Sequence, residues 1–441
     1  MTSLKKSICI SLVPLMLLTG CSSLSVFGKS EDPPLPGERV SVLELQKELE
    51  PGNADQSAQV FAAPNVWENE FWPQRGGYPN HTMQNLAFTE GKFQEIWSSS
   101  IGKGASRNTP LTAQPILVGN TIFTLDTGSE VRAFDTKTGK ELWSASIKPP
   151  QEKENALGGG LAFGEGHLFV TNGFAEVAAL DSSTGQLVWR KTLPAPARSA
   201  PTILNKTLYI QTSDNQLFAL DVASGDEFWR YRGFAAESGL VGASSPAATG
   251  NMVVAAFSSG EFTGINPATG AVIWSDTLAP RHRTGGLASV SDVTGLPVID
   301  RDLIFGIGFG DRMLAINSEN GRRMWQQDIG STETPWVAGN MVFVVTNDNK
   351  LVALGRESGA VNWVSELNAE SKNNKEFWTG PVLAGGRLIV ASSNGRLMEV
   401  DPSNGQTLRT MKANGDVSIP PFVAGGTLYV LSNNGRLTAY R

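Results

Sequence analysis

VRAFDTKTGKELW (131–143) is one copy of a motif that recurs along most of this chain of 441 residues. An apolar stretch is followed by an acidic residue or Asn, by Gly four positions later and by Trp after four more. Successive copies lie 38–51 residues apart, a period typical of repeat architectures. Six copies end in Trp, at Trp143, Trp189, Trp229, Trp274, Trp325 and Trp363.

Each copy of the motif predicts a β-hairpin. The residues before the turn are rich in Val, Leu, Phe and Ala, which favours a strand. In the turn, the side chain of Asp135 can bond backbone N–H groups nearby, and Gly139 can adopt a positive φ. A second strand pair precedes most copies, so each repeat has about four strands, as a β-propeller blade does. Because one blade cannot bury both of its faces, we expect each Trp to pack between adjacent blades.

The two ends of the chain predict how the ring of blades closes. A seventh copy (397–409) has Arg409 in place of Trp, and an eighth stops at Arg441, where the acidic residue is expected. The segment GKFQEIWSSSIG, which contains Trp97, is similar to the part of other copies that follows the turn. We expect it to complete the last blade and thereby remove an open sheet edge. The sequence therefore predicts an all-β, eight-bladed β-propeller over residues 66–441, with four-stranded antiparallel blades closed by N- and C-terminal strands.

The N-terminus has the pattern of an export signal. Two lysines precede a short apolar run, and small residues lead to Cys21. The sequence LTGC resembles the lipobox of bacterial lipoproteins, which implies removal of residues 1–20 and acylation of Cys21. The alternative is an ordinary signal with a chance Cys. Residues 21–65 have the composition of a flexible tether, within which residues 39–50 are either a transient helix or a segment that docks on the propeller or a partner.

Charge and composition argue against several classes of function. The formal net charge is −6, and no basic cluster suited to nucleic acid is present. His81, His167 and His282 lack the spacing of metal ligands, and no catalytic or phosphate-binding motif is found. The Gly-rich stretch GIGFGD (306–311) lies within a predicted strand and no helix follows it. We therefore predict no metal, no cofactor and no catalytic residues.

The repeats resemble those of the quinoprotein propellers, the fold of dehydrogenases that use pyrroloquinoline quinone (PQQ). Repeats of this type imply a fold only, because function depends on a site. Those dehydrogenases carry two adjacent cysteines beside the quinone, together with carboxylate and amide ligands for calcium. The cysteines of this chain are Cys9, inside the predicted signal, and Cys21. A PQQ-dependent periplasmic dehydrogenase and a general envelope-binding propeller are the alternative functions.

A lipobox, a tether and eight such blades together resemble the BamB family, lipoproteins of the outer-membrane β-barrel assembly machine. The segment WPQRGGYPNHTMQN (72–85) also resembles the segment before the first blade in that family. The resemblance implies a non-catalytic scaffold that assists assembly and insertion of outer-membrane β-barrel proteins. Because Ser22 follows Cys21, it implies a lipid anchor in the outer membrane, on the periplasmic side. The implied partners are the periplasmic domains of BamA, other lipoproteins of the machine, unfolded outer-membrane proteins and the membrane itself.

In that family the BamA-binding surface lies in two loops between blades, which correspond here to SGLVGASSP and SVSDVTGLP. The resemblance implies an apolar contact at Leu240 and an acidic contact at Asp292. Val241 stands where the family usually has Arg, and Thr294 stands where a second Asp is usual. A partner of this chain would therefore contact fewer charged residues in these loops than the partners of other family members do. The alternative roles are packing between blades for Leu240 and turn capping for Asp292.

Overall fold

The computed structural model describes residues 59–236, 243–279, 292–368 and 376–441. All regular elements in these ranges are β-strands, and they form eight antiparallel sheets. The predicted all-β, eight-bladed propeller is therefore confirmed. The predicted signal, Cys21 and the first part of the tether lie outside the described residues, as do Leu240 and Val241. Within those ranges the structure has no helix of the length and hydropathy that crossing a bilayer requires.

Each blade is one four-stranded sheet whose first strand lies nearest the central channel. A short strand, β1 (Phe71–Trp72), and the later β2 (Glu95–Ser100) precede the first blade. The strands of the first four blades, from inside to outside, are β3 (Ile116–Val118), β4 (Thr121–Leu125), β5 (Glu130–Asp135) and β6 (Glu141–Ser146) in blade 1; β7 (Gly159–Gly164), β8 (His167–Asn172), β9 (Glu176–Asp181) and β10 (Leu187–Thr192) in blade 2; β11 (Thr202–Leu204), β12 (Thr207–Gln211), β13 (Gln216–Asp221) and β14 (Glu227–Arg232) in blade 3; β15 (Ala247–Thr249), β16 (Met252–Ala256), β17 (Glu261–Ile265) and β18 (Val272–Thr277) in blade 4.

The remaining blades repeat this order, and the last of them takes its outer strand from the N-terminal part of the chain. Their strands are β19 (Val298–Asp300), β20 (Leu303–Gly308), β21 (Arg312–Asn317) and β22 (Arg323–Gln327) in blade 5; β23 (Trp336–Ala338), β24 (Met341–Val345), β25 (Lys350–Gly355) and β26 (Val361–Glu366) in blade 6; β27 (Trp378–Ala384), β28 (Arg387–Ser392), β29 (Arg396–Val400) and β30 (Thr407–Lys412) in blade 7; β31 (Phe422–Ala424), β32 (Thr427–Ser432), β33 (Arg436–Tyr440) and β2 in blade 8.

The ring closes through β2, as the sequence predicts. Strand β2 pairs antiparallel with β33, and Trp97 lies opposite Ala439. Where the other blades have a turn, two chain segments meet instead, since Gln94 and Arg441 exchange both backbone hydrogen bonds at 2.9 and 3.0 Å. This pairing gives β33 a partner on its outer side and joins the two ends of the ring.

In every blade except blade 7, the recurring Trp packs on the turn of the next blade, as predicted, although Trp274 of blade 4 does so without an indole hydrogen bond to a described residue. The ring of Trp143 in blade 1 packs on Gly185 in the turn of blade 2, and its Nε1–H donates to Ser182 O at 3.1 Å. A Cβ at Gly185 would lie 2.6 Å from that ring, so both this contact and a φ of +74° require glycine. Equivalent hydrogen bonds, 2.8–3.0 Å long, join Trp97 to Thr136, Trp189 to Val222, Trp229 to Pro267, Trp325 to Arg356 and Trp363 to Pro402.

The missing Trp at Arg409 has a structural reason. The side chain at this position in blade 7 faces blade 8, and blade 8 has no turn on which a Trp could pack. Instead, Arg409 Nη1 donates to Gly91 O at 2.8 Å and forms an ion pair with Glu399 at 3.2 Å. The departure from the repeat therefore coincides with the junction that closes the ring.

Residues 67–86, here called the strap, contact the innermost strands of all eight blades in turn. The ends of the strap meet, because Trp67 N donates to Asn85 O at 3.1 Å. In circular order, the contacts are Asn69 Nδ2 to Val423 O in blade 8, β1 with β3 in blade 1, Phe163 N to Pro73 O in blade 2, Ile203 N to Gln74 Oε1 in blade 3, Ala248 N to Pro79 O in blade 4, Ile299 N to Asn80 O in blade 5, Gly339 N to Gln84 Oε1 in blade 6 and Leu86 N to Leu383 O in blade 7.

The strap solves a problem that every propeller has at its centre. The innermost strand of each blade is a sheet edge. Its N–H and C=O groups on the channel side need hydrogen-bond partners when they are buried. The strap supplies such partners around one full circle. Contacts begin even earlier, within the stretch predicted as tether. Phe61 packs edge-on against Phe343 at 5.5 Å, and Asn340 Nδ2 donates to Val60 O at 3.0 Å.

Candidate functional site

Described residues that precede the innermost strands of several blades line one cavity. The predicted contact residues lie in two segments that precede innermost strands in the sequence. Residues 237–242, which include Leu240 and Val241, lie outside the described residues and lead into blade 4. Asp292 and Thr294 belong to the segment that leads into blade 5.

The structure places Asp292 and Thr294 beneath the surface. Their residues are 2% and 7% exposed. Asp292 Oδ1 accepts a hydrogen bond from Val293 N at 2.8 Å, which agrees with the turn-capping alternative. Thr294 Oγ1 donates to Thr332 O at 3.0 Å and so joins the entry segments of blades 5 and 6. Direct contact of either side chain with a partner stays a prediction.

The same entry segments enclose an axial cavity of about 250 Å³, here called the cup. Trp72, Arg75 and His81 of the strap line part of it. The entry segments line the rest, with Arg198 and Glu333 as their charged side chains. The cup therefore combines aromatic rings with two guanidinium groups and one carboxylate.

Burial perturbs two of the charged groups in the cup, Arg75 and Glu333. It lowers the pKa of the Arg75 guanidinium, an effect that the charge of Glu333 opposes. Burial raises the pKa of Glu333. Hydrogen bonds from Thr379 Oγ1 at 2.6 Å and Gly380 N at 3.0 Å oppose this increase. Among the described residues, no ion pair within 4.0 Å involves Arg75. Its guanidinium bonds a carbonyl oxygen instead, since Nη1 donates to Ala243 O at 2.8 Å.

His81 is a buried, neutral histidine at the edge of the cup. Its Nδ1–H donates to Pro297 O at 2.7 Å, and burial lowers the pKa of the ring to about 4. The unfolded chain binds a proton near pH 6.5 and the folded chain does not, so stability falls as the pH drops from about 6.5 to 4. At about 1.4 kcal/mol per pKa unit, the free energy of unfolding should lose on the order of 3 kcal/mol through this group.

The variant His81→Asn isolates that contribution. Asn tolerates the left-handed backbone at this position, where φ is +59°, and keeps a donor for Pro297 O. Urea unfolding between pH 7.5 and 4 should show that the free energy of unfolding of the wild type, relative to that of the variant, decreases as the pH falls. A constant difference across this range would contradict a buried neutral imidazole.

The residues lining the cup do not fit the calcium-bound quinone that the quinoprotein resemblance would suggest. Calcium takes six to eight oxygen ligands. Glu333 is the carboxylate of the described lining, and its Oε2 already accepts two hydrogen bonds. Nowhere in the described ranges do three His, Cys, Asp or Glu side chains gather as a metal site requires. No catalytic step through such a group is therefore derived for this chain.

Sequence reasoning recognised the strap segment but not the cup that it helps to enclose. The strap has no strand or helix period, because each of its contacts is made with a different blade. Two signals in WPQRGGYPNHTMQN could have indicated its role. The adjacent glycines permit a tight path, and a Cβ at Gly77 would lie only 2.3 Å from Met83 Sδ. An Arg among apolar residues and glycines suggests a buried charge with a function.

Comparisons with known proteins identify the family. The family model described as "Outer membrane protein assembly factor BamB" matches residues 127–365 and 366–441. Proteins of that name from Yersinia pestis and Escherichia coli are 24% and 27% identical to the chain, over 77% and 40% of its length. The alignments cover 87% and 43% of those relatives, and 54% of a relative from Moranella endobia, so the chain spans about half the length of several curated relatives that it matches.

Solved structures agree at the level of the fold. The crystal structure of BamB from Moraxella catarrhalis aligns with a TM-score of 0.68 at 17% identity, over 79% of this chain and 100% of that one. A quinohemoprotein alcohol dehydrogenase from Comamonas testosteroni aligns with a TM-score of 0.63 at 13% identity, over 88% and 84% of the two chains. The fold is thus common to assembly factors and dehydrogenases, whereas the family model covers well over half of the chain. The chain belongs to the outer membrane protein assembly factor BamB family.

Proposed function

We propose that this chain is a non-catalytic scaffold of the β-barrel assembly machine, held at the outer membrane through an acylated Cys21. The observation that supports this role most strongly is the family match over residues 127–365 and 366–441, since the family is described as an outer-membrane assembly factor. The lipobox-like sequence before Cys21 supports the anchor. The described lining of the cup, which does not fit a calcium-bound quinone, supports a role without catalysis.

The proposed partner is the periplasmic part of BamA, and the proposed surface is the face formed by the interblade segments. Leu240 provides an apolar anchor there and Val241 extends it, in keeping with interfaces that have an apolar centre and a polar rim. Asp292 and Thr294 support this surface from below, since their side chains bond Val293 N and Thr332 O. Unfolded outer-membrane proteins and the other lipoproteins of the machine are further proposed partners.

The substitution Leu240→Glu tests the proposed surface. A charge at an apolar anchor should weaken capture of BamA about tenfold, equivalent to about 1.4 kcal/mol. Affinity capture from solubilised envelopes, quantified against the amount of bait, measures the effect. Photo-crosslinking from position 240 should also yield an adduct with BamA in intact cells.

Leu408→Glu is the matched control, because Leu408 lies on the outer strand of blade 7 and is 54% exposed. It should leave capture unchanged, and both variants should melt at the wild-type temperature. Equal capture by wild type and Leu240→Glu would refute this surface. Failure of the wild-type chain to capture BamA would refute the assembly role itself.

A further inference from the structure

The cup carries an excess of positive charge in an acidic protein. The chain has a formal net charge of −6, yet the cup contains Arg75 and Arg198 against Glu333. A guanidinium has five N–H donors. Within the described ranges, Arg75 donates to Ala243 O, and the structure records no hydrogen bond or ion pair for Arg198. Among the described residues, most of the guanidinium donors in the cup therefore have no recorded partner.

The strap forms part of the cup, and the volume of the cup limits the ligand. The strap contacts the innermost strands of all eight blades, and its Trp72, Arg75 and His81 line the cup. At about 250 Å³, the cup is larger than the cavity of about 150 Å³ that holds a benzene molecule, so one aromatic group with a carboxylate fits.

The rest of the cup is lined by polar side chains, several of them threonines, and by a group of aromatic side chains. Trp72 and Trp336 contribute aromatic rings, as does Phe377, which is 50% exposed and so extends the wall to the protein surface. Pro381 and Pro420 add rigid apolar surface between them. Guanidinium groups bind carboxylates through paired hydrogen bonds, and such bonds strengthen where water is excluded. Guanidinium groups and aromatic rings in one cavity match a ligand that has both a carboxylate and an apolar group.

We propose that the cup binds a carboxylate carried on an apolar or aromatic group, with the carboxylate held by Arg75 and Arg198. This chemistry is found in free small carboxylates and in the C-terminal residue of a polypeptide. Glu333 lies beside the carboxylate position and disfavours ligands with more than one negative charge. Carboxylate binding is independent of the proposed assembly role, so either can fail alone.

Isothermal titration calorimetry on the full chain in detergent micelles tests the site. The probes are N-acetylphenylalanine and its amide, which differ in the carboxylate alone, and a hexapeptide that ends in Phe with a free or an amidated C-terminus. The free acids should bind at least tenfold more tightly than the amides. Tighter binding of the free-acid peptide than of N-acetylphenylalanine would identify a chain terminus as the ligand. Equal affinity of these two free acids would identify the small carboxylate.

Variants locate the binding. Arg198→Gln removes a side chain that makes no described bond, so it should leave the melting temperature unchanged and weaken binding of the free acids at least tenfold. Arg75→Gln keeps a donor for Ala243 O. It should also leave the melting temperature unchanged and weaken binding of the free acids at least tenfold. Arg322→Gln, on an exposed turn of blade 5, removes an equal charge elsewhere and should change nothing. Equal binding of acid and amide, wild-type binding by Arg198→Gln, or no binding at millimolar concentrations would each overturn the proposal.

Discussion

Replacing Trp325 with Ala should lower the free energy of unfolding by about 3–5 kcal/mol, the usual cost of truncating a buried aromatic side chain. Trp325 is in blade 5 and packs against Phe305 at 5.8 Å and against Gly359 of blade 6. Its Nε1–H donates to Arg356 O at 2.8 Å. The variant loses the packing and leaves the Arg356 carbonyl without this donor, which adds to the cost. Urea unfolding followed by circular dichroism measures the loss.

Met324→Ala is the control, because the neighbouring side chain is 44% exposed and points away from the interface. It should change the free energy of unfolding by no more than about 0.5 kcal/mol, as surface substitutions usually do. A loss below about 1 kcal/mol for Trp325→Ala would contradict the view that the tryptophans hold blades together. A similar loss in both variants would point to the strand itself rather than to the indole.

The Trp motif predicts so much of the fold because its packing contact and its hydrogen bond both go to the turn of the next repeat. The indole lies on the Gly of the next turn, as Trp143 does on Gly185, so the sequence spacing records the geometry directly. The closing strand was predictable for the same reason, since Trp97 occupies an equivalent position. The strap could not be predicted from periodicity, because Asn69 and Leu86 bond blades that are more than 290 residues away in the sequence.

The candidate site shows where reasoning from the sequence stops. Asp292 and Thr294 stand in a loop that the family resemblance assigns to a partner, but the sequence alone does not reveal that their side chains are buried. The cup is formed by Arg75 from the strap together with Arg198 and Glu333 from different blades. Residues that come together from distant parts of the chain form no motif of fixed spacing, so a single sequence does not reveal such a site.

Departures from the repeat are more informative than its copies, and Arg356 is an example. The motif in blade 6 has Gly355 where the other copies have Asp or Asn, so the turn lacks the carboxylate or amide cap of those copies. Arg356 follows it and is 2% exposed. Its Nε donates to Asp300 Oδ2 and its Nη2 donates to Asp302 Oδ1, both at 2.7 Å, which joins blade 6 to blade 5. The hydrogen bond from Arg356 also lowers the pKa of Asp302.

We expect Arg356→Met to lower the free energy of unfolding by about 3–5 kcal/mol, because it leaves the buried carboxylate of Asp300 without its main counterion. Arg301→Met is the control, since Arg301 also pairs with Asp300 at 3.0 Å but is mostly exposed, and it should cost no more than about 1 kcal/mol. Urea unfolding at pH 7 measures both variants.

Adding Asp300→Asn to Arg356→Met distinguishes a stranded charge from lost packing. If the cost comes from the unpaired carboxylate, the double variant should be more stable than the sum of the single losses predicts, by at least 1 kcal/mol. Additive losses would mean that Arg356 acts through the packing of its side chain alone. Because Arg356 O also accepts the Trp325 indole hydrogen bond, Trp325→Ala and Arg356→Met should not be additive either. Coupling between these two positions would show that one contact region holds blades 5 and 6 together through both an indole and an ion pair.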